Sequence, residues 1–426
     1  MTLEQTVKQT KPRLQFIDMA RSIAIIMMLE GHFTGAALTN AYRNEAFLPY
    51  KIWHNIHGLT SPLFFTVTGL VFVYLLCKEK NVSYFESDRV RKGFKRVRML
   101  LFWGYFIQLD VNTIIRDLCY GFENVKNGKG WDFQFHFEWL QAFHVLQSIG
   151  IGILLLLIIY GLHYLIGKLE IHWYYFIAGL IIFIAYSHLK NYVQMDEIRL
   201  ESSSIKTPNY WPNGFPSFIQ NMFYGKYSDF GIIRYSGYVV FGGMVGSIIR
   251  KYEEKCKEFW FGGLFIVIGI LLNVFAQTAF NNIDHFTEYI HLTDKGVFSL
   301  TSFSFMRFGQ VISLLGLLML IDARFKIKAG LFLKLGQNTL PIYIVHVIIL
   351  YGGIFGFGLV PNFFDKNLPP LESIVISLSA IFAFVVFIKY IEPLEVIYNK
   401  FFSRFSLKNI FKLSFIGRKG NLKKDV

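Results

Sequence analysis

Apolar runs recur along the whole chain, and polar or basic segments separate them. Each run approaches the length of about 20 residues that an α-helix needs to cross a bilayer. The pattern therefore predicts an all-α polytopic membrane bundle of about ten transmembrane helices, folded as one integral-membrane domain. We place the predicted spans near 15–38, 55–77, 97–115, 139–161, 172–189, 232–249, 258–276, 302–322, 338–358 and 371–391, within a single domain of 1–426.

The composition agrees with a membrane protein. The chain has 426 residues, of which 53% are hydrophobic and 17% are charged, whereas an ordinary soluble domain carries roughly 25% charged residues. In a soluble protein, the net charge of +14 would suggest a nucleic acid partner. Here the basic residues lie in short segments between apolar runs, and no nucleic-acid-binding motif is present. We therefore expect the lipid bilayer, and no nucleic acid, as a partner.

The basic residues also predict an orientation. They concentrate in alternate segments between the spans, namely 78–96, 250–257 and 323–337. Lys and Arg collect on the cytoplasmic side of membrane proteins. We therefore expect a multi-pass protein of the inner cell membrane with both termini in the cytoplasm, and with 1–13 and 396–426 as basic cytoplasmic tails.

Two features concern the segments outside the spans. Cys77, Cys119 and Cys256 lack the spacing of a disulfide framework, and the predicted orientation places only Cys119 outside. The longest external segment, 190–231, is rich in aromatic residues, prolines and asparagines. It is interpreted either as a cap at the membrane interface or as a platform that receives a sugar.

The first predicted span contains charged residues that a bilayer disfavours. It holds Asp18, Arg21, Glu30 and His32, although a charge near the bilayer centre costs about 2.5–3.5 kcal/mol. Ten residues separate Arg21 from His32, which places them within about 20° of the same helix face and about 16 Å apart along the axis. His32 is a candidate general base or acyl carrier, with Arg21 on the same stripe. The alternative is an interfacial arginine and a packed interior histidine.

Two further histidines, His54 and His57, precede the second span. If the segment is helical, their spacing puts them on one face. No third ligand is implied, so no metal site is expected here. The two histidines either line the entrance through which an acceptor arrives, or lie at a wet interface.

A dense basic cluster stands at the start of the third span, and it includes Arg89, Arg91, Arg96 and Arg98. Topology alone predicts positive charge at this position. The cluster is nevertheless denser than the other basic segments, and a nucleotide-bearing substrate with several phosphates would need such fixed hydrogen-bond donors. We expect these arginines to bind that substrate.

Polar residues also occur in several other spans. Asp110, Gln147, Arg307 and His346 fall within the predicted third, fourth, eighth and ninth spans. Ionisable and polar groups in membrane spans usually face a shared interior cavity. We expect these four to bind substrate, and Asp110 is a candidate carboxylate to orient His32.

Several short motifs together resemble a known family. They are Asp18-x-x-Arg21 followed by His32, then 61–65 (SPLFF), 145–150 (VLQSIG) and 335–346 (LGQNTLPIYIVH). Their order and placement over 13–351 resemble the transmembrane acyltransferases, which join the acyltransferase type 3 proteins and the heparan-α-glucosaminide N-acetyltransferase-like proteins. The chain looks more similar to bacterial members of the heparan-type branch than to the sugar O-acetylases.

The resemblance implies a roughly ten-span fold, an acyl-CoA donor entering from the cytoplasm, and an acceptor on the other face. It makes Arg21 and His32 the matching positions of an arginine–histidine motif. This chain has Ser22 where the family usually has glycine. The animal heparan enzyme uses a histidine in the first loop, so the catalytic residue stays open among His32, His54 and His57.

The sequence therefore favours a membrane-embedded acyltransferase. The resemblance implies that acyl-CoA, expected to be acetyl-CoA, is a substrate, and that no permanently bound cofactor is needed. The expected acceptor is a hydroxyl or amine of a cell-surface sugar, polysaccharide or glycolipid. The alternative is a multi-pass transporter or a non-enzymatic membrane protein that uses the same polar cavity. We find no inverted repeat to favour it.

Overall fold

The computed structural model describes most of the chain, and the part it describes is mainly helical. The predicted basic tails, 1–13 and 396–426, lie outside that part. The described residues are 14–79, 82–128, 138–202, 210–292, 296–325 and 330–393.

Helices follow one another along the described residues with short connections. The helices of the first half are α1 (Gln15–Ala37), α2 (Leu48–His57), α3 (Thr60–Leu76), α4 (Asp88–Phe106), α5 (Val111–Lys126), α6 (Glu138–Gln141), α7 (Val145–Ile166) and α8 (Ile171–Ser202). Those of the second half are α9 (Ser217–Phe223), α10 (Ile232–Lys251), α11 (Phe259–Tyr289), α12 (Ser299–Arg324), α13 (Gly330–Gln337), α14 (Thr339–Tyr351) and α15 (Pro370–Lys389).

The predicted all-α polytopic bundle is confirmed. Among the described residues, 7 helical segments are long and apolar enough to cross a membrane, or 8 if α13 and α14, which meet at 78°, form one broken span. Each predicted span overlaps a helix, but α1 and α4 carry charged residues that lower their hydropathy. The number ten therefore stays a prediction.

The third span begins and ends earlier in the chain than the sequence predicts. The predicted range is 97–115, whereas α4 runs over Asp88–Phe106. The Ser87 hydroxyl caps the helix by accepting a hydrogen bond of 3.2 Å from the Val90 amide. The basic cluster therefore lies on the first turns of α4, not in the preceding loop. The span is predicted from a run of apolar residues, and such a run does not reveal the start of a helix whose first half is basic.

The predicted external segment 190–231 also differs from the structure at its start, because a helix extends into it. Helix α8 continues through the first part of it to Ser202, and the short helix α9 lies further along. Residues 203–209 lie outside the described part of the chain. The choice between an interface cap and a sugar platform stays open.

The core is built from apolar residues of several helices. Phe183 of α8 is fully buried, and its ring lies 5.0–5.4 Å from the rings of Tyr238, Phe241 and Phe305. Helix α1 packs against α3, α12, α13, α14 and α15. The polar residues of α1 are therefore enclosed by protein for much of its length, which is the arrangement that a membrane tolerates.

One end of α1 is joined to α13 by polar contacts. The Ser22 hydroxyl lies 2.9 Å from the Asp18 carbonyl oxygen and 2.6 Å from that of Phe332, and it accepts a hydrogen bond of 3.0 Å from the Gly336 amide. A Cβ at Gly336 would clash with the Asp18 backbone oxygen. Ser22 thus holds the two helices together, and the glycine allows their close approach.

Candidate active site

A cationic cavity lies at the Arg21 end of α1, between α1, α3, α4 and the start of α14. Its volume is about 130 Å³. The wall is apolar on α3, with Phe64 and Val71 among its residues. The basic residues that line it are Arg21, Arg89, Lys92 and Arg96. The motif arginine of α1 therefore shares one cavity with the basic cluster of α4.

The charges in this cavity are only partly compensated. Arg21 lies 3.8 Å from the Asp18 carboxylate, and Arg89 lies 3.8 Å from the Glu79 carboxylate. The Nε atom of Arg96 is buried and has no hydrogen-bond partner among the described residues. A buried donor without a partner costs free energy. The cavity is therefore suited to a ligand that brings anionic oxygens to these guanidinium groups.

Arg91 and Arg98 do not belong to this wall. Both are exposed, and Nε of Arg91 donates a hydrogen bond of 3.3 Å to the Phe85 carbonyl oxygen. The reason is helical geometry, because these positions lie on a different face of α4 from Arg89, Lys92 and Arg96. Of the four arginines expected to bind a phosphate-bearing substrate, the structure brings two to the cavity.

The other end of α1 carries a pair of histidines. The ring of His32 lies 5.2 Å from the ring of His346 on α14, with an interplanar angle of 42°. Nδ1 of His32 is 3.3 Å from the Tyr351 hydroxyl oxygen, within hydrogen-bonding distance. His32 is half-buried and Tyr351 is exposed. A molecule that approaches from this end can therefore reach the imidazole of His32.

His346 is fixed in place within the bundle. It is fully buried, its Nδ1 lies 3.2 Å from the Ile342 carbonyl oxygen, and its ring meets that of Tyr343 edge-on at 5.0 Å. A carbonyl oxygen only accepts hydrogen bonds, so Nδ1 carries the proton and Nε2 keeps a lone pair. Nε2 is buried without a partner among the described residues. His346 thus offers one unused acceptor atom beside His32.

His57 also lies close to His32. Its ring covers Gly31, where any Cβ would clash with it, and it stacks on Trp53 at 5.2 Å. The Trp53 indole donates a hydrogen bond of 2.8 Å to the Glu30 carboxylate, which fixes this arrangement on α1. His57 is therefore a neighbour of the histidine pair.

His54 lies further from the bundle. Its side chain is 54% exposed, and its Nε2 is 4.0 Å from the Glu45 carboxylate. Its ring stacks on Tyr50 at 5.7 Å. The two histidines of α2 therefore differ in environment, and only His57 reaches α1.

Asp110 does not contact His32. It caps α5, because its carboxylate accepts hydrogen bonds of 3.0 Å from the Thr113 amide and 2.7 Å from the Thr113 hydroxyl. These hydrogen bonds stabilise the ionised form and lower the pKa of the Asp110 carboxyl. The group at Nδ1 of His32 is instead the Tyr351 hydroxyl.

Gln147 and Arg307 occupy two different places. Gln147 is fully buried in the first turn of α7, where it lies against Gly104, and its amide atoms have no partner among the described residues. Arg307 donates a hydrogen bond of 2.9 Å to the Asn55 carbonyl oxygen and lies against Gly58. Arg307 is therefore next to the α2–α3 junction that follows His57.

Sequence reasoning missed Tyr351 and gave Lys92 no specific role. Lys92 also lines the cavity, and it lies one helical turn after Arg89 and one turn before Arg96 on α4. A helical wheel of α4 would have grouped it with Arg89 and Arg96. Tyr351 ends an apolar helix, where a tyrosine usually marks the membrane interface. No pattern in the chain links it to His32.

Comparison with models of known protein families gives a match that covers most of the chain. A family model for an acyltransferase domain matches residues 14–389. A comparison with curated proteins finds no match. The matched range contains both the cationic cavity and the histidine pair.

Proposed function

Because the chain belongs to the acyltransferase type 3 family, we propose that it transfers an acyl group, expected to be acetyl, from acyl-CoA to a saccharide. The acceptor group is a hydroxyl or an amine of a cell-surface sugar, polysaccharide or glycolipid. The match supports a membrane acyltransferase in general. The acyl-CoA donor and the saccharide acceptor are proposals based on the chemistry of the two ends of α1.

One observation carries this proposal. Helix α1 contributes Arg21 to the cationic cavity and His32 to the histidine pair, on one stripe about 16 Å apart along the helix axis. An acyl-CoA molecule is elongated, with phosphates at one end and a thioester at the other. Its phosphates would bind at the cavity while the thioester extends along α1 towards His32.

The phosphate end would meet several fixed cations. Arg89 and Arg96 present guanidinium groups, which bind phosphate oxygens in pairs, and Lys92 adds a point charge. The cavity is also bordered by Thr339, the first residue of α14. Amide groups at a helix start favour anions and would add to the guanidinium groups. The buried Nε of Arg96 would gain a partner.

The chemical step would take place beside His32. In the tautomer of His32 that carries its proton on Nδ1, this N–H would donate to the Tyr351 hydroxyl oxygen 3.3 Å away, and the lone pair of Nε2 would accept the proton of the acceptor hydroxyl or amine. The acceptor atom attacks the thioester carbonyl carbon, the carbon–sulfur bond breaks, and the proton passes from His32 to the CoA sulfur. The products are the acylated saccharide and free CoA thiol.

His346 would position the acceptor. Its Nδ1 is held by the Ile342 carbonyl oxygen, so Nε2 can accept a hydrogen bond from the acceptor. A neutral, buried ring at 5.2 Å also packs against His32 and limits its rotation. Transient acylation of His32 is the second route by which the same residue could carry the reaction.

The test uses the purified full-length protein in detergent or nanodiscs, with acetyl-CoA labelled in the acetyl group. We expect label to pass to saccharides extracted from the cell envelope and free CoA thiol to appear with it. The matched control is His32→Ala, which should release CoA at least about a hundredfold more slowly than the wild type. Wild-type protein that neither binds nor consumes acetyl-CoA in the presence of the extract contradicts the proposal.

A further inference from the structure

Three cationic side chains lie at the end of the bundle opposite the cationic cavity. Lys190 of α8, Arg234 of α10 and Arg307 of α12 are half-buried. Arg234 lies close enough to both Lys190 and Arg307 for their charges to repel one another. None of the three forms an ion pair with a carboxylate among the described residues. The positive-inside rule predicts few cations at this end, so topology does not explain them.

Arg234 stands at an unfavourable place for a cation. It is in the first turn of α10, where the helix dipole is positive. Its guanidinium lies 5.4–5.5 Å from the rings of Tyr186, Tyr235 and Phe303, and its Nε is buried without a hydrogen-bond partner among the described residues. A bound anion would interact favourably with the positive end of the helix dipole and with the guanidinium group, which has no carboxylate partner among the described residues.

Arg307 lies between Arg234 and the part of the candidate active site that contains the histidine pair. Its guanidinium lies 5.3 Å from the ring of Phe303, which also contacts Arg234. On its other side it lies against Gly58 and donates to the Asn55 carbonyl oxygen. Gly58 follows His57, whose ring covers Gly31 beside His32. The two guanidinium groups therefore continue the candidate active site outwards.

We propose that Arg234 and Arg307 bind an anionic group, a carboxylate or a phosphate, on the saccharide that accepts the acyl group. This inference rests on the proposed function and narrows its substrate class to acidic saccharides. Guanidinium groups bind such oxygens in a fixed, paired geometry. The half-exposed ring of Phe303, 47% accessible, offers an apolar face for the sugar between them.

The experiment measures binding by full-length protein in a zwitterionic detergent, with methyl glucuronoside and methyl glucoside as probes. The two sugars differ only at C6, where the glucuronoside has a carboxylate and the glucoside has a hydroxymethyl group. We expect the glucuronoside to bind at least about tenfold more tightly, because it adds charge-assisted hydrogen bonds. Added salt and inorganic phosphate should weaken its binding. Equal affinity for the two sugars, or no binding of either, overturns the proposal, and this wild-type comparison does not depend on any variant folding.

Variants then locate the site. Arg234→Gln and Arg307→Gln should each lose most of the preference for the glucuronoside, and Arg234→Lys should recover part of it because it keeps the charge. Arg324→Gln, at the exposed end of α12, changes the net charge equally and should keep the preference. Unchanged preference in both glutamine variants overturns the assignment.

Further outcomes distinguish this proposal from a lipid headgroup site and from a failure of the proposed function. Wild-type protein that retains phosphatidylglycerol through purification, loses it in Arg234→Gln, and binds no glucuronoside would show a lipid headgroup site and overturn the proposal. The binding assay contains no acyl-CoA, so absence of acyl transfer rejects the proposed function without altering the sugar preference. A preference for the glucoside in an active enzyme rejects only the present inference.

Discussion

His32 and His346 come from helices at opposite ends of the matched family domain, yet their ring centroids lie 5.2 Å apart. The two rings differ in accessibility. His32 is half-buried and meets the exposed Tyr351, whereas His346 is fully buried and held by the Ile342 carbonyl oxygen. This difference separates a residue that can meet substrate from one that positions it, and it makes the roles of the two histidines separable by mutation.

The first prediction concerns His32. His32→Ala should lower the turnover number of acyl transfer by about a hundredfold to ten-thousandfold, which is the usual contribution of a general base. Alanine suits a helix interior, so the protein should remain folded in the membrane. The measurement is acetyl transfer at equal amounts of purified protein. His54→Ala is the matched control, since His54 is exposed, and it should stay close to wild type. Full activity in His32→Ala, with loss in His57→Ala, would move the chemistry to α2.

The second prediction concerns the Tyr351 hydroxyl. Tyr351→Phe removes the group 3.3 Å from Nδ1 of His32 and keeps the ring. We expect kcat to fall about tenfold, the effect of one lost hydrogen bond, and KM for acyl-CoA to stay the same. Tyr289→Phe is the control, because Tyr289 ends α11 and is 82% exposed. Equal kcat in the two variants would remove Tyr351 from the mechanism.

The third prediction concerns the acyl-CoA donor. Arg89→Ala and Arg96→Ala should raise KM for acyl-CoA more than they lower kcat, because they remove ground-state binding of phosphate. Arg98→Ala removes the same charge from the same helix, but Arg98 is exposed and does not line the cavity. Steady-state kinetics over a range of acyl-CoA concentrations provide the measurement. An equal rise in KM for Arg98→Ala would indicate general electrostatic attraction and not a phosphate site.

Helical periodicity accounts for the part of the site that lies on single helices. The spacing of Arg21 and His32 predicts one stripe on α1, and the structure places Arg21 at the cavity and His32 at the histidine pair. The class of fold follows from the apolar runs for the same reason, since both depend on local sequence. What a single helix presents can be calculated from its residues alone.

Contacts between distant helices could not be obtained in this way. Nothing in the chain indicates that Tyr351 meets His32 or that His346 faces it, because these contacts depend on how α14 packs against α1. The prediction that Asp110 orients His32 depends on its depth in the third predicted span, but α4 ends before Asp110, and Asp110 caps α5. The predicted span end at 115 lies nine residues beyond the end of α4 at Phe106, and such an error in a helix boundary changes the role of a residue.

The fourth prediction concerns the contact between α1 and α13. Gly336→Ala should destabilise the protein by about 1–3 kcal/mol, because the added Cβ would clash with the Asp18 backbone oxygen in a packed region. Thermal unfolding of the purified protein should show a lower Tm. Gly330→Ala is the matched control at the start of α13, where no atom of the described residues lies within 4 Å of a Cβ. A Tm for Gly336→Ala no lower than that of Gly330→Ala would mean that the helices can separate without cost.

The last prediction concerns orientation, on which the assignment of the acyl-CoA end depends. The basic segments predict that α5 lies outside, and α5 carries the free and exposed Cys119, whereas Cys77 is half-buried and Cys256 is buried. A membrane-impermeant maleimide should therefore label wild-type protein in intact cells, and Cys119→Ser should lose that label.

The opposite end of the bundle supplies the control for this measurement. Arg324 is exposed in the last turn of α12, near the end that carries Arg21. Arg324→Cys in the Cys119→Ser background should be labelled only after the membrane is permeabilised. The reverse pattern, with Cys119 protected and the cysteine at 324 labelled in intact cells, would place the cationic cavity outside the cell. Acyl-CoA is a cytoplasmic metabolite in the proposed reaction, so that pattern would exclude the cavity as its binding site.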